Sequence, residues 1–136
     1  MEAVRIPFTT DGDGEATVYT GRVAGTIFGV YIDHGSGLTE LENTVNITVT
    51  DEATGATIFG LTDISASGRY LVLNQAVSAS GVPIADVYSG PPAVGRLKVV
   101  VTDADDGDGD PREGSVTVYV DGSVSEATAF AERVLS

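Results

Sequence analysis

Residues 4–23 read VRIPFTTDGDGEATVYTGRV. Val4, Ile6 and Phe8 alternate with polar or surface-tolerant neighbours, as do Val18 and Thr20 with Thr17 and Tyr19. A period of two belongs to half-buried strands, and D-G-D-G between two such runs is turn chemistry, so the stretch predicts a hairpin over 4–20. Pro7 has no N–H to give a ladder. It therefore places the first strand at an edge, or sits where its missing donor faces solvent. Towards the C-terminus the plan repeats: RLKVVVT (96–102), the acidic loop DADDGDGDPREG (103–114), then SVTVYV (115–120). This predicts a second hairpin over 96–121.

Between these modules, residues 22–32 (RVAGTIFGVYI) form an apolar run interrupted by Gly25 and Gly29. It reads as a central strand bent or bulged at the glycines. Residues 34–43 (HGSGLTELEN) are a loop, and TVNITVT (44–50) turns at DEATG into TIFGLT (57–62), a third hairpin over 44–62. A short connector, 65–68, leads to RYLVLN. Residues 74–92 contain Gly81, Pro83, Gly90 and the pair Pro91-Pro92, and are expected to be irregular. Such a long structureless stretch points to a functional loop, a subunit contact or mobility. About eight strands without helical period predict an all-β fold over 1–122, an antiparallel β-sandwich (jelly-roll or Ig-like) or a barrel. Its core is expected to include Val4, Ile6, Phe8, Val18, Val45, Ile47, Val49, Leu97, Val99, Val101, Val116, Val118 and Val120.

Residues 123–136 change character. Ser123-x-x-Glu126 is a capping box, and Val124, Ala127, Phe130, Ala131, Val134 and Leu135 recur at helical spacing. A short amphipathic helix is expected over 124–134, its apolar stripe covered by its own domain or by a neighbouring subunit. Val77, Val82, Ile84, Val87, Phe130 and Val134 have no obvious place in a core already filled by strand residues, and are the expected subunit contacts of a homo-oligomer.

Composition narrows the function classes. Val, Ile and Thr make up 41 of 136 residues, a strong β bias. The absence of cysteine excludes a disulfide scaffold, a thiolate zinc site and a cysteine nucleophile. The start, MEAVRIPF, has neither a basic segment nor an apolar run, so synthesis in the cytoplasm is expected. No apolar stretch approaches the ~20 residues of a membrane span, so no membrane partner is expected. Twenty acidic residues against six Arg and one Lys give a net charge of −13, which would repel nucleic acid. Near-absence of Lys beside retained Arg points to adaptation to high salt, where repulsion is screened and carboxylates keep the surface hydrated.

Few residues offer chemistry. His34, the only histidine, stands between Asp33 and G-S-G, where it could act as a base beside Ser36. No nucleophile elbow or oxyanion loop accompanies it. An exposed loop histidine and a non-enzymatic protein are expected instead. Asp106, Asp108 and Asp110 are spaced i, i+2, i+4, as are Asp11, Asp13 and Glu15, and alternating oxygen ligands suit calcium. Against an EF-hand stand Pro111, where that loop needs Gly, and Thr117 and Arg22 at the two twelfth positions. Ordinary hairpin chemistry explains D-G-D-G equally: Gly supplies positive φ and Asp accepts bonds from its own turn. Asp106, Asp108 and Asp110 are retained as the candidate calcium site; no other cofactor is expected. Asn46-Ile47-Thr48 matches a glycosylation sequon but falls mid-strand. The five tyrosines, Tyr19, Tyr31, Tyr70, Tyr88 and Tyr119, are too scattered for a sugar platform.

The opening R-I-P-F-T-T-D-G-D-G-E-A-T-V-Y-T resembles that of a family of small virion structural proteins of tailed viruses. Further matches are the strand at 45–50 followed by D-E-A-T-G, and the closing R-L-K-V-V-V…G-S-V-T-V-Y-V, so the resemblance spans roughly 4–121. It implies a capsid decoration or head-associated protein of the virion, with the major capsid protein or other virion proteins as partners. The acidic insertion 103–113 and the C-terminal segment depart from the pattern. Combined with the composition, the resemblance implies a tailed virus of a halophilic archaeon. The alternatives are a head–tail or tail component, and a calcium-dependent adhesion or carbohydrate-binding module using Asp106 to Asp110.

Overall fold

The computed structural model describes residues 2–72, 74–77, 83–105, 107–124 and 132–135, with backbone alone for 71, 74–77, 83–89 and 132–135. Among the described residues eleven strands follow in chain order: β1 (Glu2–Thr9), β2 (Ala16–Asp33), β3 (Asn46–Asp51), β4 (Thr57–Leu61), β5 (Gly68–Leu71), β6 (Asn74–Val77), β7 (Pro83–Ser89), β8 (Pro92–Ala93), β9 (Arg96–Thr102), β10 (Glu113–Val124) and β11 (Glu132–Leu135). One 3₁₀ turn lies at Gly37–Thr39. The expected all-β, antiparallel class is what the chain adopts. The main sheet runs β11-β1-β10-β2-β9-β3-β4, with β5 and β8 also paired to β2, while β6 and β7 form a separate pair.

Two of the three expected hairpins do not form. β10 lies between β1 and β2, and β2 lies between β10 and β9; only β3 and β4 pair as expected. The cause is β2, an 18-residue strand that serves two halves of the sheet. Its first part pairs with β9, from Ala16↔Val101 to Arg22↔Arg96. Its second part pairs with β10, from Val23↔Val124 to Asp33↔Ser115. The turn at 10–15 and the loop at 103–112 therefore cross between halves at the same end of the molecule, rather than joining ladder neighbours. Local turn chemistry reads identically in both situations.

Bulges let β2 change direction. Its register against β9 shifts between Tyr19 and Arg22. There the Thr20 hydroxyl donates to Gly21 O at 2.6 Å and accepts Leu97 N–H at 2.9 Å, satisfying a donor that the bulge leaves without a ladder partner. The glycine-rich part carries the expected irregularity: Gly29 opposes Tyr119 and Ile27 opposes Val120, so Phe28 is the extra residue. Gly25 has another role. It faces Gly122 across the ladder, and a Cβ at Gly122 would lie 2.7 Å from Gly25 Cα.

The alternation reading holds for the core. Val4, Ile6, Phe8, Val18, Val45, Ile47, Val49, Leu97, Val99, Val101, Val116, Val118 and Val120 are all buried in one cluster that draws on both halves of the sheet. Val23, Ile27, Val30 and Ile32, from the second part of β2, join it. Burying each such side chain contributes roughly 1.5–3 kcal/mol relative to exposure. Pro7 is also placed as expected. β11 covers β1 only from Glu2 to Arg5, so Pro7 lies along the uncovered part of that edge.

Two other expectations are corrected. Residues 74–92 are not one irregular stretch, because β6 and β7 pair from Asn74↔Ser89 to Val77↔Pro83 and β8 joins β2. Pro83 and Pro92, read as breakers, each occupy the first position of a strand, where proline is tolerated. Nor does a helix run over 124–134: Val124 closes β10, and Glu132–Leu135 pair with β1. Backbone pairing with an available strand edge overrides the helical spacing there. Residues 125–131 lie outside the described residues. Of the expected subunit contacts, Val77 falls on β6, Ile84 and Val87 on β7 and Val134 on β11, all placed by backbone alone. Val82 and Phe130 lie outside the described residues.

Candidate functional site

The crossings at one end of the sheet bring the two acidic segments together. Ala104 N–H donates to Gly14 O at 3.1 Å, and a Cβ on Gly14 would lie 2.8 Å from Asp105 N. Gly14 has φ 74°, so this turn needs glycine for conformation and for closeness. Thr10 and Arg112 exchange two bonds: Thr10 N–H to Arg112 O, and Arg112 N–H to Thr10 Oγ1, both 2.8 Å.

Three carboxylates of these segments, Asp11, Asp105 and Asp108, accept bonds within their own turns. Asp11 Oδ1 accepts N–H bonds from Asp13 at 2.9 Å and Glu15 at 3.1 Å. Asp105 Oδ1 accepts from Gly107 N–H at 2.7 Å. Asp108 uses both oxygens: Oδ1 accepts from Asp110 N–H at 2.9 Å, and Oδ2 from Arg112 Nη2 at 2.7 Å. Among the described residues, no group of three or more His, Cys, Asp or Glu side chains is placed to hold a metal ion. Of the candidate calcium ligands, Asp108 is paired with the Arg112 guanidinium, Asp110 gives its backbone N–H to Asp108, and Asp106 lies outside the described residues.

Arg112 is the centre that sequence reasoning passed over. Its side chain is only 10% exposed, with Nη2 at 2.7 Å from Asp108 and 3.4 Å from Glu42. Nη1 donates to the carbonyls of Leu38 and Glu40 at 3.4 and 3.3 Å. One planar fork thus ties the 37–45 loop to the 103–112 loop, a geometry lysine cannot reproduce, while the backbone of Arg112 holds Thr10 at the start of the 10–15 turn. The available signal was Arg112's position as the sole cation in an otherwise acidic loop.

His34 is buried, at 2% exposure, not an exposed loop residue. Its Nε2 lies 2.8 Å from Ile64 O; a carbonyl only accepts, so Nε2 carries the proton. Nδ1 faces Glu40 Oε1 at 3.4 Å, and Ser67 Oγ accepts the His34 backbone N–H. Both ring nitrogens are directed at these groups rather than at Ser36, so the base–nucleophile arrangement is not assembled. His34 reads as a brace between the loop after β2 and residues 64–67.

Asp51 and Asn46 brace other loops. Asp51, 1% exposed, accepts N–H bonds from Ala53 at 3.0 Å and Val94 at 2.9 Å, stapling the β3–β4 turn to residues 91–95. The Asn46 amide donates to Asp103 Oδ2 at 2.9 Å and accepts from Asp63 N–H at 3.1 Å, so the sequon asparagine is engaged in the fold. A depression of about 690 Å³ lies where β1 passes the start of β2, lined by Arg5, Pro7, Thr17, Asp33, Ser36 and Glu113 among others. A second, of about 260 Å³, lies over Asp51, Ile58, Pro91 and Pro92. Tyr19 is covered by the Arg96 guanidinium, 4.0 Å from its ring centroid.

These features define an all-β antiparallel protein whose buried polar residues (His34, Asp51, Arg112, Thr10 and Thr20) hold crossings, bulges and loops. No protein-family model matches the chain, and no match is found among the curated proteins. Among the described residues, no helix is long and apolar enough to cross a membrane.

Proposed function

We propose that this protein is a non-enzymatic structural component of a tailed-virus particle, attaching to the capsid lattice as an oligomeric decoration or head-associated protein. One observation carries the reading: buried polar groups that could do chemistry are spent on architecture. His34 bonds a carbonyl and faces Glu40, Asp51 accepts two backbone N–H groups, and the Arg112 side chain locks two loops together. The strand and turn motifs resembling those of virion proteins supply the particular class. In this reading the two halves of the sheet face one another as a jelly-roll or Ig-like sandwich, with β2 passing from one to the other. Partners are the major capsid protein and further copies of this chain. The surface charge of −13 keeps the particle hydrated in brine, the medium of a halophilic host.

The test is mass spectrometry of density-purified virions from the source culture, together with the genes flanking this one. The expected result is a peptide abundance comparable to that of the major capsid protein, and neighbours encoding portal, terminase or capsid. Absence from the particle, with no such neighbours, overturns the reading. The apposed acidic loops also keep a calcium-dependent adhesion module in view. Calcium titration by calorimetry in molar salt separates the two, because only the adhesion module requires a binding isotherm.

A further inference from the structure

Among the described residues only two large apolar side chains are exposed, Leu38 at 95% and Val94 at 48%. They lie at opposite ends of the β3–β9 ladder. Leu38 belongs with the 103–112 loop, since its carbonyl accepts from Arg112 Nη1 at 3.4 Å. Val94 belongs with the β3–β4 turn, since its N–H donates to Asp51 at 2.9 Å. The ladder between them runs from Asn46↔Thr102 to Asp51↔Leu97, roughly 17 Å at ~3.3 Å per residue.

The two sites are opposite in shape. Leu38 stands on the 3₁₀ turn Gly37–Thr39 as a knob. Single exposed leucines are ordinary on protein surfaces, but this one has unusual support. Arg112 donates to the carbonyls of Leu38 and Glu40, Glu40 N–H donates to Gly37 O, and Leu41 N–H donates to His34 O. Its backbone is already fixed, so seating it in a partner costs little further ordering. Val94 instead lines a hollow of about 260 Å³ with Ala56, Ile58, Pro91 and Pro92. Asp51 also borders the hollow, and its carboxylate oxygens accept the Ala53 and Val94 N–H groups.

Charge divides the same way. Segments 10–15, 33–42 and 103–113 meet at the Leu38 end and contain twelve of the twenty carboxylates, with Arg112 as their only Arg or Lys. Around the hollow, segments 51–57 and 91–96 contain two acids, Asp51 and Glu52, and one cation, Arg96. Arg96 is half exposed while it pairs with Glu52. Arg22 stands there too, its Nε donating to Val94 O at 3.2 Å. Copies of this chain are therefore complementary when the acidic end of one meets the guanidinium-bearing end of the next, and repel when two acidic ends meet.

We propose that Leu38 of one copy seats in the hollow at Val94 of the next, with the acidic segments around Leu38 approaching Arg22 and Arg96. The hollow is walled by apolar side chains, as an isobutyl group requires. Knob and hollow lie on different surfaces, so the contact is head-to-tail, and association continues into a ring or filament instead of stopping at a dimer. In 1 M salt, with a Debye length of about 3 Å, the overall repulsion is screened while contact-range attraction and apolar burial persist. The proposal rests on the self-association in the reading above, and on no capsid partner.

Sedimentation velocity of the full chain in 1 M salt tests it, with Leu38→Asn and Val94→Asn as uncharged changes at exposed positions. Wild type is expected to grow beyond a dimer as concentration rises. Each variant should weaken association at least roughly tenfold, the scale of burying one leucine side chain. Mixing the two variants is the decisive arm. Leu38→Asn keeps an intact hollow and Val94→Asn an intact knob, so the mixture should form a 1:1 dimer that grows no further. A mixture that does not associate overturns the head-to-tail contact. An oligomer that neither change weakens leaves self-association standing while this seating fails, and a monomeric wild type removes both. A monomeric wild type whose Leu38→Asn variant is lost from virions would give the knob to a capsid partner and likewise overturn the seating.

Discussion

Replacing Arg112 by Met removes the guanidinium that joins the 37–45 and 103–112 loops while keeping a long apolar stem at a site with 10% side-chain exposure. The change deletes ion pairs to Asp108 at 2.7 Å and Glu42 at 3.4 Å, and bonds to two carbonyls. Breaking a fully buried pair costs about 3–5 kcal/mol. Asp108 and Glu42 are 40% and 37% exposed, so water resolvates their charge and the screened pair contributes less. The expected loss is about 2 kcal/mol, of the order of a hydrogen bond to a charged group. Salt dependence then identifies the cause. Segments 10–15 and 103–113 contain nine carboxylates (Asp11, Asp13, Glu15, Asp103, Asp105, Asp106, Asp108, Asp110 and Glu113) and Arg112 as their only cation. At 0.01 M salt the Debye length of about 30 Å lets all nine interact, and at 1 M, about 3 Å, only immediate neighbours do. Urea unfolding in both salts should show a wild-type-to-variant gap that is widest in dilute salt and narrows in brine. Arg112→Lys, which keeps the charge but not the fork, should fall between. A gap that does not change with salt would refute the electrostatic part of the reasoning, and one below about 0.5 kcal/mol would refute the bracing role itself.

Other outcomes follow from the same structure. Ile47→Ala, at a fully buried β3 position, should lower unfolding stability by about 2–5 kcal/mol in a denaturant titration; a loss under 1 kcal/mol would contradict its place in the core. Gly122→Ala, which would set a Cβ 2.2 Å from Ala24 O in a strand at φ 153°, should destabilise by more than about 1 kcal/mol, measured by thermal melting. The wild-type melting temperature should rise with monovalent salt, most steeply below roughly 0.1 M, where screening removes long-range repulsion among the excess carboxylates. Indifference to salt would detach the acidic composition from brine. Submillimolar calcium at constant high ionic strength should leave the melting temperature unchanged; a rise abolished by Asp108→Asn would establish a site.

Alternation of Val, Ile and Thr was enough to specify strands and their inward faces, because side chains on a strand reverse direction at every residue whatever partner it finds. That is why Ile47, Val99 and Val118 could be assigned to the core from the chain alone. Strand partnership is a different kind of information. D-G-D-G at 11–14 bends the chain equally well within a hairpin or between two halves of a sheet, and only the length and bulges of β2 insert β10 beside β1. The terminal segment shows the same limit: Ser123, Glu126 and Val134 carry helical spacing, yet Glu132–Leu135 find a strand edge that no local pattern announces. The site followed topology too. Asp11 and Asp108 were legible as turn residues, but Arg112 also reaches the carbonyls of Leu38 and Glu40, 74 and 72 positions away, and His34 bonds Ile64, thirty positions on. Local sequence determined which residues turn inward, since that depends on backbone period alone. Tertiary structure decided which strands pair and which polar groups meet, since both depend on contacts between segments far apart in the chain.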